Sequence, residues 1–273
     1  MTEEKSLPQF FYIKSRDVPC HLLDMDGVLV RGSKAVQGSA EYLKLLVKHE
    51  VPFLVFSNNS RFTPEVMAIN LSELGFPITP ENVYTSAMTT AHFIHMQKPG
   101  ASYFPIGDEG LICAMEKKGC IFDDVAPDYV VVGESLEYSY KKLAKGANLV
   151  NKGARFIGTN PDLNIPAEDG DVPACGAACA LIKAATGITP YFLGKPNPFM
   201  MRAALEKLGV HAANAVMVGD RMDTDVIAGM ELGLKTVLVL TGASQRESIN
   251  GYPYSPDLIL PRLLDLKEHM GLG

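Results

Sequence analysis

The stretch HLLDMDGVLV, residues 21–30, joins an apolar run to two aspartates and a glycine. Asp24 and Asp26 are separated by a single residue and follow the apolar run directly. Two carboxylates this close repel each other, and each costs free energy to remove from water. Such a pair at the end of a buried strand indicates a site that binds a positively charged partner.

Similar apolar runs recur along the chain, and stretches with helical spacing separate them. The runs are CHLL before Asp24, VPFLVF before Ser57, AVMVG before Asp220 and KTVLVL before Thr241. Continuous apolar runs are typical of strands buried on both faces of a parallel sheet. SAEYLKLLVKH, TPEVMAINLSELG and NPFMMRAALEKLG have the spacing of amphipathic helices, and Thr63 followed by Pro64 predicts a helix start. We therefore predict an α/β fold with a doubly wound, Rossmann-like parallel sheet.

The middle of the chain repeats this pattern. SYFPIG, DYVVVG and ARFIGT have the composition of strands, and helices are expected around residues 109–118, 138–151 and 175–186. These elements predict a second α/β unit.

The spacing of the core strands indicates that this unit is an insertion. The strands at 51–56 and 215–219 lie about 160 residues apart, which is too far for one crossover connection. We therefore predict a catalytic core formed by residues 1–84 and 189–273, with an α/β domain at 85–188 inserted between its two halves.

Composition excludes several classes of protein. Of the 273 residues 47% are hydrophobic and 21% are charged, which is typical of a soluble globular protein. The formal charge of −6 offers no surface for a nucleic acid polymer. No apolar run reaches the roughly 18 residues of a membrane span, and the amino terminus does not resemble a signal peptide. The five scattered cysteines favour reduced thiols and a cytoplasmic protein, and a homodimer remains open.

The predicted sheet would gather acidic residues at one edge. Asp24, Ser57 and Asp220 each follow an apolar strand, and the carboxyl ends of adjacent parallel strands converge on one crevice. With Asp223 and Asp225 nearby, the negative charge needs a cation, and Mg²⁺ prefers a few carboxylates plus water and phosphate oxygens. An EF-hand is excluded because its full aspartate spacing and its late glutamate are absent.

With a cation in place, the aspartate pair suits phosphate ester hydrolysis. One carboxylate can attack phosphorus and form an aspartyl-phosphate, while the other protonates the leaving oxygen and later deprotonates water. Lys195, in FLGKPNP, offers a positive charge to the transferred phosphoryl group. Ser57 and Asn58, with the main-chain amides of SNNS, can donate to phosphate oxygens.

These segments resemble a known family. DMDGV, SNNS, GKPNP and GDRMDTD occur in the order of the four motifs of the haloacid dehalogenase superfamily of phosphatases. The insert between the second and third motifs resembles the large α/β cap of the NagD-like branch, subfamily IIA. VYTSAMTTAHF, VVVGES, GARFIGTNPD and PACGAACALI support this, so the resemblance covers the chain from about Cys20 onward.

The resemblance implies a role for each acidic motif residue. Asp24 would be the nucleophile and a Mg²⁺ ligand. Asp26 would be the general acid and base, and would bind the metal through its main-chain carbonyl. Asp220 would be the remaining metal ligand, with Asp225 at or just behind the metal shell.

The other motif residues would serve the substrate. Ser57 and Asn58 would hold the phosphoryl group, and Lys195 would orient and neutralise it. Asp223 matches no fixed family position and is expected to be a solvated loop acid. Arg221 is left without an assigned role.

The loop TNPDLNIPAEDGDVPACGA lies in the expected cap, which in this branch covers the active site and selects the leaving group. Asn160 and Asp162 are the candidates for facing the leaving group. Glu168, Asp169 and Asp171 are expected to face solvent, or else to favour leaving groups with hydrogen-bond donors such as sugar hydroxyls.

Other histidines and cysteines have structural interpretations. His21, in a core strand, is expected to be neutral and packed, and His92 and His95 to be exposed on a helix. Cys175 and Cys179 are expected to pack in the interior, because no second ligand pair completes a zinc site.

The predicted function is Mg²⁺-dependent hydrolysis of small phosphomonoesters, and the NagD-like branch points to ribonucleoside 5′-monophosphates such as UMP. Sugar phosphates, p-nitrophenyl phosphate and phosphoglycolate-type esters remain open, because a cap that merely admits leaving groups discriminates weakly. A dehalogenase is disfavoured because Asp26 has no acid or base task there. A non-catalytic phosphate sensor is disfavoured because it does not need Asp24.

Overall fold

The computed structural model describes residues 18–167 and 170–272, in which strands and helices alternate. The strands are β1 (Cys20–Leu23), β2 (Val30–Arg31), β3 (Lys34–Ala35), β4 (Phe53–Ser57), β5 (Val83–Thr85), β6 (Ser102–Ile106), β7 (Ile121–Phe122), β8 (Tyr129–Val132), β9 (Arg155–Gly158), β10 (Asn164–Ala167), β11 (Gly170–Pro173), β12 (Tyr191–Phe192), β13 (Ala215–Gly219), β14 (Lys235–Val239) and β15 (Leu258–Leu260). The helices are α1 (Ser39–Lys48), α2 (Pro64–Glu73), α3 (Ser86–Gln97), α4 (Glu109–Lys117), α5 (Tyr140–Asn151), α6 (Cys175–Thr186), α7 (Pro198–Leu208), α8 (Ile227–Glu231) and α9 (Leu266–Met270).

Six strands form one parallel sheet in the order β15-β14-β13-β1-β4-β5. Successive side chains of β1 point to opposite faces, so Leu23 packs with residues of α1 and α2 while Leu22 packs with residues of α7. Both leucines are fully buried, and burying such a side chain contributes roughly 1.5–3 kcal/mol. Helices cover both faces, which confirms the predicted doubly wound sheet.

The middle of the chain forms a second parallel sheet in the order β12-β9-β8-β6-β7. Residues of α5 and α6 pack on one of its faces, and residues of α3 and α4 pack on the other. β10 and β11 form a separate antiparallel hairpin. The predicted end of the insert at residue 188 lies before β12, which pairs with β9. We therefore propose that the insert extends through Phe192.

The long elements of the core agree with their sequence signals. Thr63 precedes α2, and its side-chain oxygen accepts a hydrogen bond from the Val66 N–H at 3.3 Å, with Pro64 as the first helical residue. The sequence did not predict β7, β12 or the hairpin of β10 and β11. β7 and β12 have two residues each, too few to show a periodicity, and the hairpin strands NIPA and GDVP contain proline and polar residues rather than an apolar run.

His21 is buried in β1, as expected. One ring nitrogen lies 2.8 Å from the Tyr42 hydroxyl and the other 2.8 Å from the Pro19 carbonyl. Burial lowers the pKa of His21 to about 4, although the Pro19 carbonyl opposes the shift. The ring is therefore neutral at physiological pH.

The other predictions outside the site had mixed outcomes. All five cysteines are free, and Cys175 and Cys179 are buried beneath α5. His95 is exposed, but the prediction was wrong for His92, which is half-buried with its ring 5.8 Å from that of Phe199.

The structure also bears on the acidic residues of the predicted cap loop and on membrane-spanning helices. Asp171 is exposed, whereas Glu168 and Asp169 lie outside the described residues. Within the described ranges, every helix is too short or too polar to cross a membrane.

Candidate active site

Three neighbouring strands bring polar side chains to one edge of the core sheet. Asp24 follows β1, Ser57 ends β4 and Asp220 follows β13. β1 pairs with both of the other strands, so the carboxyl ends of all three meet. One carboxylate oxygen from each of Asp24, Asp220 and Asp225 lies within 4.8 Å of the other two. The structure thus brings together carboxylates that stand about 200 residues apart in the sequence.

Asp225 reaches this cluster from one turn of π-helix at Met222–Val226. Its Oδ2 accepts a hydrogen bond from the Arg221 N–H at 3.2 Å, and a Cβ atom at Gly219 would collide with it. The turn therefore packs directly on the end of β13. Turns of this kind are rare and are frequent at functional sites.

Lys195 supplies the positive charge of the cluster. It lies on the loop that follows β12, and its side chain is 3% exposed. Its Nζ donates to Asp24 Oδ1 and to Asp225 Oδ1, each at 2.7 Å. Charge-assisted hydrogen bonds of this length are among the strong ones. One ammonium facing three carboxylates still leaves the cluster with an excess of negative charge.

The pKa values reflect this excess. Burial raises the pKa of Asp24 well above its ordinary value, Lys195 opposes the rise, and Asp225 and Asp220 add to it. Burial and the neighbouring Asp225 raise the pKa of Asp220 to about 6. Burial disfavours the Lys195 ammonium, but Asp225 and Asp24 outweigh burial and raise its pKa.

Asp220 shows that the residues present fit a cation. Its Oδ2 accepts from the Ala243 N–H at 2.6 Å, whereas its Oδ1 is buried without a hydrogen-bond partner among the described residues. Leaving a buried polar atom unpaired costs about 1–3 kcal/mol or more. Carboxylate oxygens are preferred ligands of Mg²⁺, so a bound ion would satisfy this atom and offset the cluster's charge.

The glycine that follows the aspartate pair is required by the same geometry. Gly27 has a φ of +78°, and a Cβ atom there would collide with the Asp220 carboxylate. Only glycine combines this backbone conformation with so close an approach.

Asp26 occupies a different environment from Asp24. Asp26 is exposed, whereas Asp24 is buried. Partial desolvation raises the pKa of Asp26, Lys195 opposes the shift, and Asp162 adds to it. A carboxyl group that is exposed and has a raised pKa suits proton transfer to and from a ligand.

Ser57 and its successors form the SNNS loop, residues 57–60. Ser57 is buried, and its Oγ accepts a hydrogen bond from the Asn59 N–H at 3.1 Å. No acceptor for the Ser57 hydroxyl proton is present among the described residues. The hydroxyl is therefore able to donate to a ligand.

Asn58 was predicted to hold a phosphoryl group, but its side chain binds protein instead. Its Oδ1 accepts from the Lys195 N–H at 2.7 Å. Its Nδ2 donates to the Lys195 carbonyl at 3.2 Å and to Asp162 Oδ2 at 2.8 Å. Both ends of the amide are used, so the side chain clamps the main chain of Lys195 and leaves only the main-chain amide for a ligand.

Asn160 was predicted to face the leaving group, and the structure places its side chain in the interior. It is fully buried, its Nδ2 donates to the Asn58 carbonyl at 2.8 Å, and its Oδ1 accepts from the Asp162 N–H at 3.1 Å. Asp162 is less buried than Asn160. Its Oδ1 accepts from Arg221 Nη1 at 2.9 Å, and its side chain is 13% exposed.

Arg221, which the sequence left unassigned, bridges the core and the insert. Besides Asp162, it binds Asp223 through two hydrogen bonds of 3.0 and 2.9 Å. Asp223 is exposed, as expected, but it is paired with this arginine.

Sequence reasoning missed Glu134. This residue follows β8, is 5% exposed, and binds Ser60 and Asn160. Its only signal was a glutamate after a strand in VVVGES, and that pattern is too common in parallel sheets to carry a prediction.

Comparison with known proteins agrees with this geometry. The family model of haloacid dehalogenase-like hydrolases matches residues 21–121, and a second HAD-hydrolase-like model matches residues 192–266. A dihydroxyacetone phosphatase of Corynebacterium glutamicum (strain R) is 44% identical over 248 residues, which cover 91% of this chain and 90% of that protein. The ribonucleotide monophosphatase NagD of Escherichia coli (strain K12) is 38% identical over 245 residues, which cover 90% of this chain and 96% of that protein.

Solved structures give the same result. NagD from E. coli K-12 superposes with a TM-score of 0.85 at 38% identity, covering 91% of this chain and 98% of that one. A 4-nitrophenylphosphatase from Thermotoga maritima superposes with a TM-score of 0.88 at 33% identity, covering 93% and 98%. The chain belongs to the haloacid dehalogenase-like hydrolases, in their NagD-like branch, and it is a phosphoric monoester hydrolase.

Proposed function

We propose that the protein is a Mg²⁺-dependent phosphomonoesterase that acts on small metabolites through an aspartyl-phosphate on Asp24. One observation carries the proposal: the buried Lys195 ammonium bridges Asp24 and Asp225 beside a buried Asp220 oxygen that has no hydrogen-bond partner in the described part of the chain. This arrangement combines a nucleophile, a positive charge for a phosphoryl group and a place for a cation.

Asp24 and Asp26 divide the chemistry. A carboxylate oxygen of Asp24 forms a bond to phosphorus while the bond from phosphorus to the ester oxygen breaks, and Asp26 gives its proton to the departing oxygen. Asp26 then takes a proton from a water molecule, whose oxygen attacks phosphorus and releases inorganic phosphate and the Asp24 carboxylate. The raised pKa of Asp26 supports its role as the proton donor.

Other residues of the site bind the phosphoryl group. Lys195 compensates its charge, and the Ser57 hydroxyl and the main-chain amide of Asn58 donate to its oxygens. Asp24, Asp220 and the main-chain carbonyl of Asp26 would hold Mg²⁺, with Asp225 at or just behind them. The ion would neutralise phosphate oxygens and make attack by a carboxylate electrostatically feasible.

For the substrates we propose ribonucleoside 5′-monophosphates such as UMP, in line with the name of the NagD relative. A second candidate is a three-carbon sugar phosphate such as dihydroxyacetone phosphate. The ion pair between Asp162 and Arg221 favours this smaller substrate, because the pair joins the insert to the core near Asp26. Asp162 is close enough to Asp26 to raise the pKa of its carboxyl group. A small ester needs less room beneath such a bridge than a nucleotide does.

Phosphate release from a panel of nucleotides, sugar phosphates and p-nitrophenyl phosphate tests the proposal, with Mg²⁺ and with chelator. Asp24→Asn is expected to lower kcat by a factor on the order of 10³ or more, because the amide is a poor nucleophile. Asp223→Asn is the control that should retain activity, because Asp223 is exposed and its ion pair in the described part of the chain is with Arg221. Undiminished release with chelator, or by Asp24→Asn, would contradict the proposal.

A further inference from the structure

Glu134 lies where the insert meets the SNNS loop. Its Oε2 accepts from the Ser60 N–H at 3.1 Å, and its own N–H donates to Ser60 Oγ at 2.8 Å. The two residues thus bind each other reciprocally across the boundary between the core and the insert. Both are buried, with Ser60 fully inaccessible.

Asn160 extends this contact to the middle of the loop. Its Nδ2 donates to Glu134 Oε1 at 3.1 Å and to the Asn58 carbonyl at 2.8 Å. Its Oδ1 accepts from the Asp162 N–H, so the orientation of the amide is fixed by three partners. Glu134 therefore holds the loop at Ser60 directly and at Asn58 through Asn160.

The loop in turn carries the groups that face the phosphoryl group. Ser57 and the main-chain amide of Asn58 lie on it, and the Asn58 side chain clamps the main chain of Lys195. A displacement of the loop would therefore move the donors and the catalytic ammonium together.

Burying a carboxyl group in this position costs free energy unless the group makes hydrogen bonds that another side chain could not make. Burial raises the pKa of Glu134 to about 8, although the Ser60 amide and Asn160 oppose the shift. An apolar side chain would avoid this cost but would leave the Ser60 N–H and one Asn160 proton unpaired.

We infer that Glu134 is a positioning residue of the phosphatase, which holds the SNNS loop in its phosphoryl-binding geometry from the insert. The inference rests on the proposed function, because it assumes that the SNNS loop binds the phosphoryl group. It adds that the insert shapes this end of the site, apart from any contact with the leaving group.

The test uses Glu134→Gln. Both oxygens of a carboxyl group accept hydrogen bonds in either protonation state, whereas an amide accepts through one oxygen only. The new NH₂ group would face the Ser60 N–H or the Asn160 amide, and one donor would lose its acceptor. We expect the Ki of inorganic phosphate and the KM of p-nitrophenyl phosphate to rise about fivefold or more.

These constants distinguish positioning from a merely structural role. A loss of stability lowers the fraction of folded enzyme and thus the apparent kcat, but it leaves Ki and KM unchanged. Tyr138→Phe is the matched control, because the Tyr138 hydroxyl donates to the Gly133 carbonyl at 2.7 Å and, among the described residues, makes no hydrogen bond to the SNNS loop. It should lower stability while leaving Ki and KM within twofold of the wild type.

Asn160→Ser removes the same link from the other side and is measured if Glu134→Gln does not fold. A raised Ki in either variant, with Tyr138→Phe unchanged, supports the inference. Values within twofold of the wild type in the folded variants overturn it. A wild-type protein that releases no phosphate would instead refute the proposed function.

Discussion

Replacing Asp220 by asparagine should affect stability in opposite directions with and without magnesium. Asp220 is 4% exposed, and its pKa is raised from 3.8 to about 6 by burial and by Asp225. At about 1.4 kcal/mol per pKa unit, a rise of about two units corresponds to about 3 kcal/mol. The folded, metal-free protein therefore binds a proton at Asp220 more tightly than the unfolded chain does.

The sign of the pH dependence follows from that difference. The contribution of Asp220 to stability is fully present below pH 3.8 and is lost as the pH rises to about 6. Above this range the ionised carboxylate destabilises metal-free protein by about 3 kcal/mol. Asparagine has no charge and retains an oxygen for the Ala243 N–H, so Asp220→Asn should raise the stability in chelator at pH 7.5 by up to this amount.

Magnesium should reverse the comparison. An ion at about 1,000 times its Kd stabilises the wild type by about 4.1 kcal/mol, which exceeds the cost of about 3 kcal/mol, and the variant lacks a ligand for the ion. In a chain of this length each kcal/mol shifts Tm by about 2–4 °C. Thermal unfolding of both proteins, in chelator and in Mg²⁺, measures the two effects without any substrate.

Asp223→Asn serves as the control. This carboxylate is exposed and paired with Arg221, so its loss should change Tm by less than the equivalent of about 1 kcal/mol and should preserve the Mg²⁺ shift. If Asp220→Asn is less stable than the wild type in chelator, the reasoning about the buried charge is wrong. If the variant keeps the full Mg²⁺ shift, Asp220 is not a ligand.

Two further substitutions test the bridges around the site. Asn58→Ala removes three hydrogen bonds and should cost about 3–5 kcal/mol of stability. Because Lys195 loses its clamp, kcat for p-nitrophenyl phosphate should fall about tenfold or more, whereas a rise in KM alone would favour direct phosphoryl binding by the side chain. Arg221→Met breaks a half-exposed ion pair with Asp162, worth about 0.2–1 kcal/mol. It should raise the activity ratio of UMP to dihydroxyacetone phosphate, and an unchanged ratio would show that the pair does not limit the leaving group.

The core sheet and the acidic cluster were predictable because their signals are local. Four of the six core strands, β1, β4, β13 and β14, coincide with the apolar runs, and Asp24 and Asp220 stand directly after two of them. The three-residue strands at the two edges, β5 and β15, were not predicted. Once the strands are assigned to one parallel sheet, the convergence of their carboxyl ends follows from the fold. The helices around them carry their own start and end signals, such as Thr63 and Pro64 before α2.

The directions of the amide side chains were not predictable in this way. Asn58 binds Asp162 across 104 residues and Lys195 across 137, and Asn160 binds Asn58 across 102. No periodicity relates positions so far apart, and each amide has several donors and acceptors that could be satisfied elsewhere. The motif SNNS therefore indicated a polar loop beside the phosphoryl group, but not which polar atom faces the ligand and which faces the protein.

Asn58 also stands at both connections between the core and the insert. Ser86, at the start of α3, donates its hydroxyl to the Asn58 carbonyl at 2.5 Å, and Lys195, three residues after β12, is held by the Asn58 side chain. A movement of the insert that displaced either connection would pull on the loop that presents Ser57. It would also draw the ammonium away from Asp24, breaking a hydrogen bond of 2.7 Å between buried charges. Opening of the site is therefore expected to leave Lys195 in place, with the change confined to less buried contacts such as the Asp162–Arg221 pair.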